Sequence, residues 1–217
     1  MGKLTAEAIV ERALEIGDAE GLDTVTIRRL AADLGVTPMA LYWHFKNKDQ
    51  LLIGMADHLI LDFVVKGDDD RPWRDRLREL VEGLVRVLRT HSCARNVLEQ
   101  VDKVAVPSFL AVWNEALGLA RTAGFTMEEC CLISNYLLQS AISIADAPVR
   151  RRRGRTPEEI TEMARVKRLS LQSLPAEKYP NLVEMAGPMA EGMTVEFYDS
   201  FGVDLVVSGV EALAARR

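Results

Sequence analysis

Between Thr26 and Lys48 the chain gathers side chains suited to reading a polyanion with patterned edges. Arg28 offers a guanidinium fork for a bidentate contact with guanine. Thr37 brings a hydroxyl that can bond to bases or phosphate, and Thr26 is a further candidate on the same surface. Met39, Ala40 and the Tyr42 ring offer apolar contact with thymine methyls, and Pro38 is a further candidate beside them. The Trp43 indole N–H, His44, Lys46 and Lys48 are donors suited to phosphate oxygens on either side. From Thr24 to Lys48 four cations (Arg28, Arg29, Lys46, Lys48) face one acid, Asp33, whereas from Met1 to Asp23 two cations face six acids. The net charge of −5 therefore hides a small basic surface on an acidic chain, and it is the local balance that a polyanion meets.

These residues need helices to aim them, and the apolar spacing supplies helices. Leu4 to Gly21 reads as one, with Thr5 as N-cap, Ile9, Ala13 and Ile16 on one face and Gly21 as the stop. Thr26 to Leu34 reads as a second, with a stripe of Ile27, Leu30, Ala31 and Leu34, and Gly35 stands where a positive φ would end it. Thr37-Pro38 marks the start of a third, to Phe45. Ala31, Gly35 and Leu41 are spaced for a close, steep crossing of two short helices, with Val36 and Leu41 beneath: a helix-turn-helix, whose second helix leads with its N-terminal residues.

Asn47 to Gln50 has capping-box spacing and opens a fourth helix to Val65, whose N-terminal dipole adds to the anion-facing end. The turn from Gly67 to Pro72 follows. Further helices are expected over Trp73–His91, Cys93–Val101, Pro107–Ala123 and Met127–Ala147. The arginine tract of residues 150–155 then breaks the pattern and reads as a solvated connector. A capping box at Thr156 opens a helix to Leu174, Pro175, Pro180 and Pro188 form a hinge, and Val195–Arg216 closes the chain. The fold class is all-α: a three-helix head over residues 1–50 and a larger regulatory and dimerisation body over 51–217.

Leu41-Tyr42-Trp43-His44-Phe45 could instead be an aromatic core stripe. Leu41 and Phe45, four apart, suffice to fill a core side, which leaves Tyr42, Trp43 and His44 outside and in need of a partner. Thr26 to Val36, followed by Leu41 to Lys48, resembles the DNA-binding head of the tetracycline-repressor (TetR) family, with the strong match over residues 5–52. Phe197 to Leu213 is similar, more weakly, to that family's last dimerising helix. The resemblance implies a homodimeric repressor of a near-palindromic double-stranded operator, released by a small effector. Where the tetracycline-binding member has a histidine and an amide as drug anchors, this chain has Val64 and, with Trp73 aligned to the matching tryptophan, Leu80. Tetracycline–metal binding is thereby not expected.

In the body, inward-facing polar candidates for an effector site are His58, His91, Asn96, Gln100, Asn135 and Gln139, with Phe109 and Trp113 as walls. Asn135 and Gln139 are four apart and so share a face. Each is equally an ordinary structural group, as are the eight methionines. No Ser/His/Asp set, carboxylate pair or glycine-rich phosphate loop argues for an enzyme, and no metal or cofactor is called for. The remaining alternative is a dimeric helical protein whose head contacts another protein. Three cysteines, two of them adjacent (Cys130, Cys131), form neither a disulfide ladder nor a metal pattern. No apolar run approaches the roughly 18 residues of a membrane span, and no secretory leader is legible, which predicts a cytoplasmic protein. The 217 residues, 48% hydrophobic and 27% charged, exclude disordered and fibrous classes.

Overall fold

A computed structural model of the chain describes residues 4–61, 70–152, 155–191 and 194–217. Among these, eleven α-helices and two short 3-10 turns account for the regular structure, and there is no strand. The head comprises α1 (Ala6–Glu20), α2 (Ile27–Asp33) and α3 (Pro38–Tyr42), followed by α4 (Lys48–Leu61). The body comprises α5 (Trp73–Thr90), α6 (Ala94–Gln100), α7 (Pro107–Thr122), α8 (Met127–Arg152), α9 (Pro157–Gln172), α10 (Pro180–Glu191) and α11 (Val195–Ala214). The turn expected near Gly67 and the end of the fourth helix, with Val64, lie outside the described residues.

Local chemistry sets the head's boundaries. Thr5, Thr26 and Thr37 each accept a backbone N–H at the start of α1, α2 and α3, from Ala8, Arg29 and Ala40, satisfying donors that a helix leaves open. Gly21 and Gly35 take φ of 92° and 67°, a region a Cβ disfavours, and so they end α1 and α2. At α4, Asn47 Oδ1 accepts Gln50 N at 2.8 Å, but the Gln50 side chain accepts from Lys46 N instead of closing the box on Asn47.

One apolar core fills the head and continues past it. Ile9, Leu30, Leu41, Leu51 and Met55 are fully enclosed, and the same cluster runs through Leu59 and Ile60 of α4 to Ala94, Val97 and Leu98 of α6 and to Val106. Each such side chain contributes roughly 1.5–3 kcal/mol by leaving water. Packing therefore does not divide at residue 50, because α4 belongs to both parts. A second core joins α5, α7, α8 and α11 through Leu77, Val81, Leu119, Leu137, Val203 and Val207.

Three expectations, two in the body and one in the head, need correction. The helix that begins at Met127 runs on to Arg152, into the arginine tract expected to break it. Pro148 has no N–H, so the Ile144 carbonyl four residues back lacks a helical donor. Arg89 of α5 supplies one, with Nη2 donating to Ile144 O at 2.9 Å and Nη1 to Ala145 O at 2.5 Å, while Asp199 of α11 holds the guanidinium. The proline hinge contains a helix, α10, which starts at Pro180 and carries Pro188 within it; proline is compatible with a first helical turn. The third helix ends at Tyr42, earlier than expected, and Trp43 to Phe45 follow as a turn. The capping box at Thr156 and Glu159 is present as expected.

Candidate nucleic-acid interface and ligand cavity

The short third helix and the turn that follows it have two unlike faces. Leu41 is fully buried and Phe45 is 8% exposed, anchoring the helix to α1 and α4. Opposite them Met39 is 67%, Tyr42 45% and Trp43 85% exposed. His44 and Lys46 are exposed as well, and Ala40 and Lys48 half-buried. Thr37 and Pro38 stand at the exposed N-terminus, and Thr26 and Arg28 present themselves from α2. The aromatic groups are outside the core, not stowed within it.

Charge pairing selects which cations are available. Arg29 donates to both carboxylate oxygens of Glu20, at 2.7 and 2.8 Å, and to Asp33 at 3.1 Å. Arg12 donates to Asp33 and Glu15 at 2.6 Å. Bonding to Arg29 lowers the Glu20 pKa, and bonding to Arg12 and then Arg29 lowers that of Asp33. Arg29 is therefore a strut between α1 and α2. Arg28, Lys46 and Lys48 form no ion pair among the described residues, and their charge remains for an external anion.

The body holds a half-open cavity of about 640 Å³ between α5, the segment following α6, α7 and α8. Leu80, Val81 and Leu84 line it from α5, Phe109, Val112 and Trp113 from α7, and Ser134, Asn135, Leu138 and Gln139 from α8. Asp102, Lys103 and Val104 stand at its edge. Phe109 and Trp113 meet edge to face with centroids 6.1 Å apart, and the Trp113 indole N–H donates to Ser134 Oγ at 3.2 Å, which fixes the ring. Asn135 and Gln139 are exposed along the opening. Leu80, at the position aligned with the drug-anchoring amide, is an apolar wall.

Four of the eight effector-site candidates thus line the cavity: Phe109, Trp113, Asn135 and Gln139. The other four do not. Asn96 and Gln100 point to solvent from α6, His58 is half-buried on α4 away from the cavity, and His91 bonds through Nδ1 to Asp18 Oδ2 at 2.7 Å. Sequence reasoning passed over the 3-10 turn with Asp102 and Lys103, which three residues of ordinary composition do not announce.

The body also leaves apolar surface uncovered. Leu132 and Tyr136 on α8 and Phe197, Phe201 and Leu205 on α11 are all more than half exposed, and the rings of Phe197 and Phe201 stack at 5.5 Å. No helix among the described residues is long and apolar enough to cross a membrane.

Comparison with known proteins agrees across nearly the whole chain. The sequence profile described as "Bacterial regulatory proteins, tetR family" matches residues 9–55, and "Tetracyclin repressor-like, C-terminal domain" matches residues 66–214. The HTH-type transcriptional repressor DrrR1 of Streptomyces coeruleorubidus is 30% identical over 99% of this chain and 80% of its own length. Tetracycline repressor protein class C of Escherichia coli is 37% identical over 48% of this chain and 51% of its own. Among solved structures, the Streptomyces coelicolor TetR family protein ActR in complex with actinorhodin superposes with a TM-score of 0.78 at 27% identity, covering 98% of this chain and 99% of that one.

Proposed function

The chain belongs to the tetR family of bacterial regulatory proteins, and on that premise we propose that it is a homodimeric repressor, released from a near-palindromic operator by a small lipophilic effector. The observation that carries the reading is the third helix. Tyr42, Trp43, His44 and Lys46 stand in solvent above a filled core, beside Arg28 and Lys48, which form no ion pair among the described residues. Exposed aromatic surface of that kind is costly without a partner, and the donors beside it suit phosphate.

Dimerisation is supported by the uncovered apolar faces of α8 and α11, whose pairing with a second copy gives a four-helix interface. Twofold symmetry then sets two third helices in successive major grooves, about 34–36 Å apart. The cavity is the proposed effector site. Its leucine and valine walls, two aromatic rings and amide edge suit a mostly apolar molecule with a few polar groups, and ActR, of the same fold, forms a complex with actinorhodin. A coupling of about 1–3 kcal/mol between cavity and head would weaken DNA binding roughly 5–150-fold. The family is one of transcriptional regulators, and the proposed activity needs no catalytic group, metal or cofactor; a soluble cytoplasmic protein is the corresponding expectation.

The test is an electrophoretic shift of the duplex upstream of the chain's own gene by purified protein, repeated across a salt series. A shift that weakens steeply with salt is expected. No shift with upstream or genomic fragments overturns the reading and favours a head that meets another protein.

A further inference from the structure

Two carboxylates of the head-side helices hold the N-termini of two body helices. Asp18 of α1 accepts Cys93 N through Oδ1 at 2.9 Å and pairs with His91 Nδ1 through Oδ2 at 2.7 Å, while Ser92 Oγ donates to Asp18 O at 3.0 Å. These contacts cap α6, which has no side-chain cap of its own. Asp57 of α4 accepts Ser108 N through Oδ1 at 2.8 Å, and Ser108 Oγ donates to Asp57 O at 3.0 Å. This caps α7, which likewise lacks one: Val106 precedes Pro107 at its start. A negative charge at a helix N-terminus satisfies open N–H groups and complements the dipole.

The place of these bonds gives them consequence. Ser108 is buried, so its bonds are made with little competition from water. Cys93 is buried too, and burial pushes its thiol up to about 12, which leaves a neutral group packed against α1. A Cβ on Gly17 would come within 3.0 Å of Cys93 Sγ, so α1 and α6 approach as closely as glycine permits. Residues 93–108, held at each end by one of the two carboxylates, include Val101, Asp102, Lys103 and Val104 of the cavity lining, and Phe109 follows directly. An occupant that displaces the 93–108 side of the cavity wall strains one clasp or the other, and a movement of α1 or α4 acts on the same bonds from the opposite side.

We propose that Asp18 and Asp57 are the positioning residues that couple the cavity to the DNA-binding head, Asp57 acting on α7 through Ser108 and Asp18 on α6 through the Cys93 N–H. The proposal rests on the reading of the head as a DNA-binding unit and deepens it. Coupling is reciprocal, so it can be read from the DNA side without an effector. DNA bound to the head changes the stability of the cavity wall, and removing a clasp disconnects the two.

The experiment is amide hydrogen exchange of the full-length protein, with and without the upstream duplex at saturation, read on peptides within 101–106 and 109–116, which contain neither capped amide. In the wild type, DNA slows or speeds exchange there by roughly fivefold or more. In Asp57→Ala the change on 109–116 falls below about twofold, although the duplex still shifts. Asp57→Asn keeps an acceptor oxygen for Ser108 N and restores the response, which a purely structural role for the charge would not do. Asp18→Ala removes the change on 101–106. Should Asp57→Ala fail to fold by circular dichroism, Ser108→Ala, which deletes one hydroxyl and keeps the backbone, carries the test and reduces the response. A wild-type response preserved in these variants, or a saturated shift with no response at all, overturns the coupling. Absence of any shift is a different result: it overturns the reading of the head itself.

Discussion

The head and the body use the same material to opposite ends. In the head, every large apolar side chain needed for the core is spent on filling it, and the surplus aromatic groups, Tyr42 and Trp43, stand outside. In the body the core is left open, with a cavity of about 640 Å³ beneath Leu80, Leu84 and Trp113. A filled interior with a displayed exterior makes a rigid reading surface. An open interior makes a receptor whose shape can answer an occupant. The contrast teaches that the two proposed functions place opposite demands on packing density, and that one chain can meet both by sharing α4 and α6 between them.

Truncation measures that contrast most strongly. Leu41→Ala, at a fully enclosed site, is expected to destabilise the protein by about 2–5 kcal/mol in urea unfolding. Leu84→Ala, at a half-buried site that already borders open space, should cost less than about 1.5 kcal/mol. Equal costs would break the distinction. Next in size, the double variant Tyr42→Ala/Lys48→Ala should weaken binding of the upstream duplex by about 10–100-fold in fluorescence anisotropy, with an unchanged thermal melt. Unaltered affinity would move the interface away from the third helix.

Filling the body should act in the other direction. Ala116→Phe extends a ring toward the cavity, and compounds that raise the wild-type melting temperature are expected to lose their effect while operator affinity is kept. Persistence of the thermal shift would place the binding site elsewhere. The salt slope of log affinity should fall by about one unit in Lys46→Ala, whose ammonium has no ion-pair partner among the described residues. The smallest effect concerns Arg29, a strut and not a reader. Its bonds lower the folded pKa of Glu20 and Asp33, so their contribution is present above the unfolded carboxylate values and is lost as pH falls through the folded ones. Arg29→Met should therefore melt slightly lower than wild type at pH 7, with the gap closing below about pH 4.

The head was legible in the sequence because its determinants are local. Thr26, Thr37 and Gly35 each specify a boundary through chemistry within four residues, and Leu41 and Phe45 identify the inner face by spacing alone. The body's effector candidates were half legible. Asn135 and Gln139 follow from periodicity on a long helix, whereas Asn96 and Gln100 sit on a seven-residue helix whose orientation is set by distant partners, Asp18 among them. His91 has the composition of a ligand contact but is committed to that same carboxylate across 73 residues of sequence. Pro180 reads as a breaker because proline's compatibility with a first helical turn leaves hinge and helix start with one signature, and Pro188, which lies inside α10, reinforces that reading.

Arg89 carries a last consequence. By donating to the carbonyl that Pro148 leaves without a helical partner, it makes the stiffness of α8 at that turn a loan from α5. The lender is the helix that also presents Leu80, Val81 and Leu84 to the cavity, while α8 offers Leu132 and Tyr136 to the proposed twofold seam. Through Arg89 and Asp199 the helices α5, α8 and α11 thus meet at one guanidinium, which ties the three together at that turn.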